Sequence, residues 1–217
     1  MVAYFWLEPP RTDTCSFCDE KNIELKRLKD ARDPAATPLE AQIKFHKASA
    51  KAAHAIMRVY KKDRDSTLAA FSKDLQQTLP TPRLSAGILY YKRKLWTYSF
   101  GVHNLKTDES YFYVWHEGEG KRGSNEVASC VYHYFENYVG DRVKKLVIFS
   151  DNCGGQNKNI NIVLFYLRLI QSGRFDNIQH YFLVSGHSYL PNDSDFGNFE
   201  TRVKNICFLH TTLCQLN

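Results

Sequence analysis

The chain has 217 residues, 43% of them hydrophobic and 14% aromatic, which is enough apolar material for a packed core and too much for wholesale disorder. Lys and Arg number 29 against 23 Asp and Glu, a formal charge of +6 that permits a polyanionic partner without naming one. No apolar stretch approaches the roughly 20 residues that cross a bilayer, and Met1–Pro10 lacks a basic segment followed by a long apolar one, so neither a membrane span nor a secretory leader is expected.

In chain order, residues 1–33 read as polar and irregular, around Pro9, Pro10 and the pair Cys15-Ser16-Phe17-Cys18. From Pro38 to about Arg64 no Gly or Pro interrupts, and Thr37 before Pro38 suits a helix start. Ile43, Ala50 and Met57 at a spacing of seven, with Leu39, His46, Ala53 and Tyr60 beside them, predict one long helix exposed on at least one side. Thr67 to Asp74 is a short apolar run closed by Pro80-Thr81-Pro82. Leu95 to Val102 alternates, and Ser110 to Trp115 is aromatic and β-branched; both predict strands. Ser124 opens a helical pattern (Val127, Val131, Tyr134, Phe135, Tyr138) that stops near Gly140. Leu146 to Phe149 is a continuous apolar strand of the kind buried on both faces. Asn159 to Gln171 is apolar nearly all round, which predicts a buried helix ended by Ser172-Gly173. Ile178 to Val184 predicts another strand, and a last helix starts near Asp193, its candidate cap.

Three strands on short connections make an antiparallel meander, and later strands separated by helices lie parallel in the same sheet. The expectation is an α/β domain with a mixed sheet of about five strands, an order that matches the RNase H-like fold. It divides the chain into a Cys-x-x-Cys segment at residues 1–35, a long helix at 36–66 and the sheet domain at 67–217, whose last helix is expected to be incomplete.

Such a sheet brings certain strand ends together. Asp74 ends the first strand, Asp151 directly follows the fourth, and Asp193 and Asp195 follow the fifth. Hard carboxylate oxygens gathered there are what two Mg²⁺ or Mn²⁺ ions need to act on a phosphodiester. Taken singly, each is a turn former or a helix cap. The order of all of them points to metal.

Several stretches occur together: Thr12 to Asp19 with its two cysteines, His46-Lys47-Ala48, Asp74 to Pro82, Tyr91 to Trp96, Gly123 to Val127, Ser150-Asp-Asn-Cys-Gly-Gly-Gln-Asn-Lys158, and Gly186-His-Ser…Asp193-Ser-Asp195. Over most of residues 8–200 the sequence resembles a family of transposon-derived proteins of animal genomes that carry an uncharacterised RNase H-like domain of the DDE/D transposase or integrase kind. The resemblance implies a two-metal core that cleaves or joins DNA, with Asp74, Asp151 and one of Asp193 or Asp195 as its acids. It also implies a DNA partner, a homo-oligomer and a nuclear location; without it the cytoplasm is the expectation. Two features depart from the pattern. Lys73 stands where a strand would carry an apolar residue, and the chain after Glu200 does not follow the family's continuation. A catalytically inactive nucleic-acid-binding or interaction module is therefore the alternative.

Cys15-x-x-Cys18 is half of a zinc site by spacing, to be completed by His46, by another His or Cys, or from outside; otherwise the two are plain thiols. Cys153, at a strand-to-helix turn with Asn152 before it, suggests a third reading, a hydrolase with His187 as its base. His187 alternatively contacts phosphate or metal. Arg83, Lys92, Arg93, Lys94, Lys121, Arg122 and Lys158, with Tyr90, Tyr91 and Trp96 among them, are candidates for a phosphate-contacting rim.

Overall fold

The computed structural model describes residues 14–81 and 93–203. In chain order these form α1 (Ser16–Asp30), α2 (Ala36–Lys62), β1 (Leu68–Leu75), β2 (Leu79–Thr81), β3 (Leu95–Asn104), β4 (Ser110–His116), α3 (Ser124–Tyr138), β5 (Lys145–Ser150), α4 (Ile160–Gln171), β6 (Asn177–Phe182) and α5 (Pro191–Val203). The expected alternation of strands and helices is present. The expected end of the last helix, and Arg83, Tyr90, Tyr91 and Lys92, lie outside the described residues.

One mixed sheet organises the fold. β3 pairs antiparallel with β1 on one edge and with β4 on the other, while β5 runs parallel to β1 and β6 parallel to β5. β2 pairs antiparallel with the start of β3, Leu79 opposite Thr97, and so continues the line of β1 after a break at residues 76–78. Strand alternation sorts the side chains onto two faces. Phe71, Leu75, Leu146 and Ile148 join Val127, Val131, Tyr134 and Phe135 of α3 and Ile162, Tyr166 and Leu169 of α4 in the larger core. Ala70, Val147 and Phe149 point the other way, into a core with Met57 of α2, Leu183 and Leu190.

α5 crosses that second face. Ser72 Oγ donates to Asn192 Oδ1 at 2.6 Å, and Asn192 Nδ2 donates to the Gly101 carbonyl at 3.0 Å. A Cβ at Gly101 would stand 3.0 Å from Phe196 Cζ, so the absence of a side chain lets the helix approach the sheet.

Three local readings need correction. Residues 16–30, expected to be irregular, are helical: the segment is rich in Glu, Lys, Leu and Arg without Gly or Pro, and it packs along α2. The long helix begins at Ala36 rather than Pro38, although Ile43, Ala50 and Met57 are its buried residues, as their spacing predicts. α4 is not buried all round. Ile162, Tyr166 and Leu169 face the sheet, while Ile160, Val163, Leu164 and Leu167 stay exposed because a helix on the outside of a layered fold covers only one side.

Candidate functional site

Parallel register brings the first two carboxylates together. Ser72 of β1 pairs with Phe149 of β5, so Asp74 and Asp151, each two residues further on, emerge side by side on the α5 face. Asp193 enters from the first turn of α5, where its Oδ2 accepts from the Leu190 N–H at 2.9 Å and its own N–H donates to the Leu190 carbonyl. The helix starts at Pro191, so Asp193 is not the cap residue expected of it but lies inside the first turn and reaches back to Leu190. Together with Thr14, Leu75, Gly186, Ser188 and Tyr189 the three carboxylates line one open cavity of about 520 Å³.

Asp195 is placed elsewhere. Its Oδ2 accepts from Ser110 Oγ at 2.6 Å and contacts His103 Nδ1 at 2.8 Å, which ties α5 to the β3–β4 hairpin.

The cavity's electrostatics follow from this crowding. Burial, and then the charge of Asp151, push the Asp74 carboxyl up to about 6; Asp193 adds to the rise, while the Leu75 N–H and Arg122 oppose it. Asp151 is anchored by its own loop. Its Oδ1 accepts from the Cys153 N–H at 3.2 Å and from Asn157 Nδ2 at 2.6 Å. Asn157 in turn accepts from the ammonium of Lys73, which is wholly buried on the opposite face of β1. Burial lowers Lys73 to about 7, against the pull of Asp151 and Asp74. The lysine that looked out of place in a strand is therefore the inner end of a Lys73–Asn157–Asp151 chain. His180, near it, is held neutral by burial and then by the Lys73 charge, and its Nε2 meets Ser150 Oγ at 2.9 Å.

Beside the cavity stands a second cluster. Cys15 is the N-cap residue of α1, Cys18 lies in the first turn, His46 is on α2, and His187 is in the loop after β6. One donor atom from each lies within 4.8 Å of every other, and this Cys₂His₂ set could hold a metal such as zinc. Cys15 Sγ stands 3.4 Å from His46 Nε2, and Cys18 Sγ 3.3 Å from His187 Nε2. Burial, then the neighbouring His187, lower the pKa of His46 and so favour the neutral ring that ligates. Among the His, Cys, Asp and Glu of the described residues, this is the group close enough together to hold a metal ion.

His187 is thereby committed to Cys18, and Cys153 has no histidine partner among the described residues, so the geometry of a Cys–His hydrolase is not assembled. Asn152 is exposed, and Asn157 of the same loop makes the contact to Asp151 instead. Of the basic residues, Arg122 lies near Asp74, Lys158 sits over the Phe182 ring, and Arg93 pairs with Glu117 at 2.9 Å. No helix of the described residues is long and apolar enough to cross a membrane.

Residues 90–215, more than half of the chain, match a domain of unknown function, DUF7869. The chain belongs to the DUF7869 family. No curated protein and no solved structure matches it. The DUF7869 match takes in Asp151, Asp193 and His187, whereas Asp74, Cys15, Cys18 and His46 precede it. Both the cavity and the Cys₂His₂ cluster therefore join the family domain to the chain that comes before it.

Proposed function

We propose that this DUF7869 chain is a transposon-derived, divalent-metal-dependent core of the DDE/D type that cleaves or joins DNA phosphodiesters, with Asp74, Asp151 and Asp193 as its acids. The observation that carries the reading is the convergence of these three carboxylates, from two adjacent parallel strand ends and a helix start, on one open cavity. The strand order β4-β3-β1-β5-β6, antiparallel on one side of β1 and parallel on the other, supports an RNase H-like assignment.

The donor set fits Mg²⁺ or Mn²⁺. Carboxylate oxygens are the hard ligands these ions take, and a cation would offset both the burial and the neighbouring Asp151 charge that raise the pKa of Asp74. A bound pair of such ions supplies electrostatic stabilisation of the attacking and leaving oxygens of a phosphodiester. The chain's own residues hold the donors still. The Cys153 N–H and Asn157 fix Asp151, the Leu75 N–H fixes Asp74 at 2.8 Å, and Arg122 brings a positive charge to the rim where a DNA phosphate would lie. A homo-oligomer and a nuclear location belong to the same reading.

A lysine buried behind the carboxylates favours a second reading: a module that keeps the fold and binds nucleic acid without cutting it. Nicking of supercoiled plasmid in Mn²⁺, with gel-shift binding measured alongside, separates the two. Catalysis predicts nicking by the wild type that Asp74→Asn and Asp151→Asn abolish while binding persists. Binding without nicking in any divalent ion supports the second reading, and absence of both rejects each.

A further inference from the structure

The Cys₂His₂ cluster and the acidic cavity share a wall. Thr14, next to Cys15, and Gly186, Ser188 and Tyr189, on either side of His187, line the cavity. Whatever holds Cys15 and His187 in place therefore also sets the shape of the space in front of Asp74, Asp151 and Asp193.

α1 lies against α2, with Phe17, Leu25 and Leu28 half-buried and the Phe17 ring 4.5 Å from that of His46. Cys18 is the one buried residue of this 15-residue helix, and Ile23 is largely exposed. A solvated helix of this length is marginal by itself. The anchoring of the start of α1, where Cys15 and Cys18 are the buried side chains, thus depends in part on what the two thiols do. Both are buried and both are free cysteines, so a disulfide does not account for them.

The donor geometry suits one ion. Around tetrahedral zinc, with bonds of about 2.0–2.3 Å, neighbouring donor atoms stand roughly 3.3–3.8 Å apart. The two Sγ···Nε2 distances of 3.4 and 3.3 Å lie on such edges. The surroundings are shaped to match. Gly186 has φ +77°, and a Cβ there would stand 2.5 Å from Cys15 Sγ, so both its conformation and its closeness to the thiol demand glycine. The carbonyl of His187 contacts His54 Nε2 at 2.9 Å, which fixes the ligand's backbone against α2.

We propose that Cys15, Cys18, His46 and His187 bind one Zn²⁺ in a closed structural site that latches α1 to α2 and to the loop after β6, and so holds one wall of the acidic cavity. Four protein ligands leave no open position for substrate, as is usual for structural rather than catalytic zinc. The ion joins chain positions 15, 46 and 187, far apart in sequence, and metal binding at such a site contributes directly to folding. The proposal does not depend on what chemistry the cavity performs.

The test uses the full chain purified under reducing conditions. Metal analysis should find one zinc per chain, and Co²⁺ substitution should give the visible absorption of a tetrahedral site with thiolate charge transfer. Hydrogen exchange before and after chelation should show residues 14–33 and 184–190 losing protection together while β1 and β5 keep theirs. His187→Gln should weaken Co²⁺ binding by more than about 100-fold, whereas Cys153→Ser should leave it unchanged. If Cys18→Ser fails to fold, His187→Gln and chelation of the wild type still decide the matter. A chain without zinc that also takes up no Co²⁺ overturns the proposal, as does a Co²⁺ spectrum that His187→Gln leaves unaltered. Loss of protection confined to residues 14–33 would overturn the latch to the cavity wall.

Discussion

The two clusters at the C-terminal edge of the sheet are built on opposite principles. The Cys₂His₂ group is compact and has soft donors, and both its cysteines are buried; its histidines come from a helix and a loop far apart in the chain. The carboxylate group is open, has hard donors and takes two of its three members from adjacent parallel strands. The difference teaches how each holds its charge. Thiols and neutral imidazoles can crowd together without a cation, whereas carboxylates crowded the same way repel. Burial first, and then that repulsion, push Asp74 up to about 6. One cluster is preassembled by packing, and the other stores electrostatic strain.

The largest expected effect tests the preassembled side. Gly186→Ala puts a methyl group on Cys15 Sγ and forces a positive φ on alanine. The cost should be about 2 kcal/mol or more, with zinc lost from the purified protein. A melting temperature and zinc content equal to wild type would show that the loop does not need this approach.

The strained side responds to pH. The Asp74 carboxyl titrates at about 6 in the folded, metal-free chain, above its ordinary 3.8. Between these values the folded chain keeps a proton that the unfolded chain has released. Stability therefore falls as pH rises from about 4 to about 6, and stays lower above that. Asp74→Asn should stabilise the metal-free protein by roughly 1–3 kcal/mol at pH 7 and hardly at all at pH 4. Urea unfolding at the two pH values measures this, and an equal effect at both would contradict the upward shift that burial and then the Asp151 charge impose.

A smaller effect bears on how Asp193 reaches the cavity. Gly101→Ala places a Cβ 3.0 Å from Phe196 Cζ and 3.2 Å from Asn192 Nδ2, so α5 must shift outward. A destabilisation of about 1–2 kcal/mol is expected, with Asp193 drawn away and divalent-ion affinity lowered. Unchanged stability would mean that Phe196 simply turns aside.

The contrast between the clusters also explains what the sequence reveals. Strand order was legible because Leu146–Phe149 and the aromatic runs at 95–102 and 110–115 carry strong local periodicity. The RNase H-like arrangement that this order matches makes the first and fourth strands neighbours, so Asp74 and Asp151 were expected to meet, and the parallel register brings them together. The metal cluster is different. Cys15-x-x-Cys18 is local, and His46 stood among its candidate partners, but His187 lies 169 residues beyond Cys18 and no spacing rule reaches that far. α1 was illegible because its covered side, Cys18, Lys21, Leu25 and Leu28, is short of apolar residues and broken by a lysine. α4 misled in the opposite way, because Ile160, Val163, Leu164 and Leu167 are apolar yet exposed. Lys73 weakened the reading of β1 because burial of a lysine is costly, and only the fold supplies the Asn157 that receives it.

The most direct test of the proposed acidic metal site is isothermal titration of Mn²⁺ into zinc-loaded wild type and Asp151→Asn, with thermal melts of both. Asp151 accepts from the Cys153 N–H and from Asn157, and an Asn side chain keeps the size while removing the charge. The account predicts that Mn²⁺ binding collapses in the variant, while its metal-free melting temperature holds or rises as repulsion on Asp74 is relieved. Equal Mn²⁺ binding by the two proteins would contradict it.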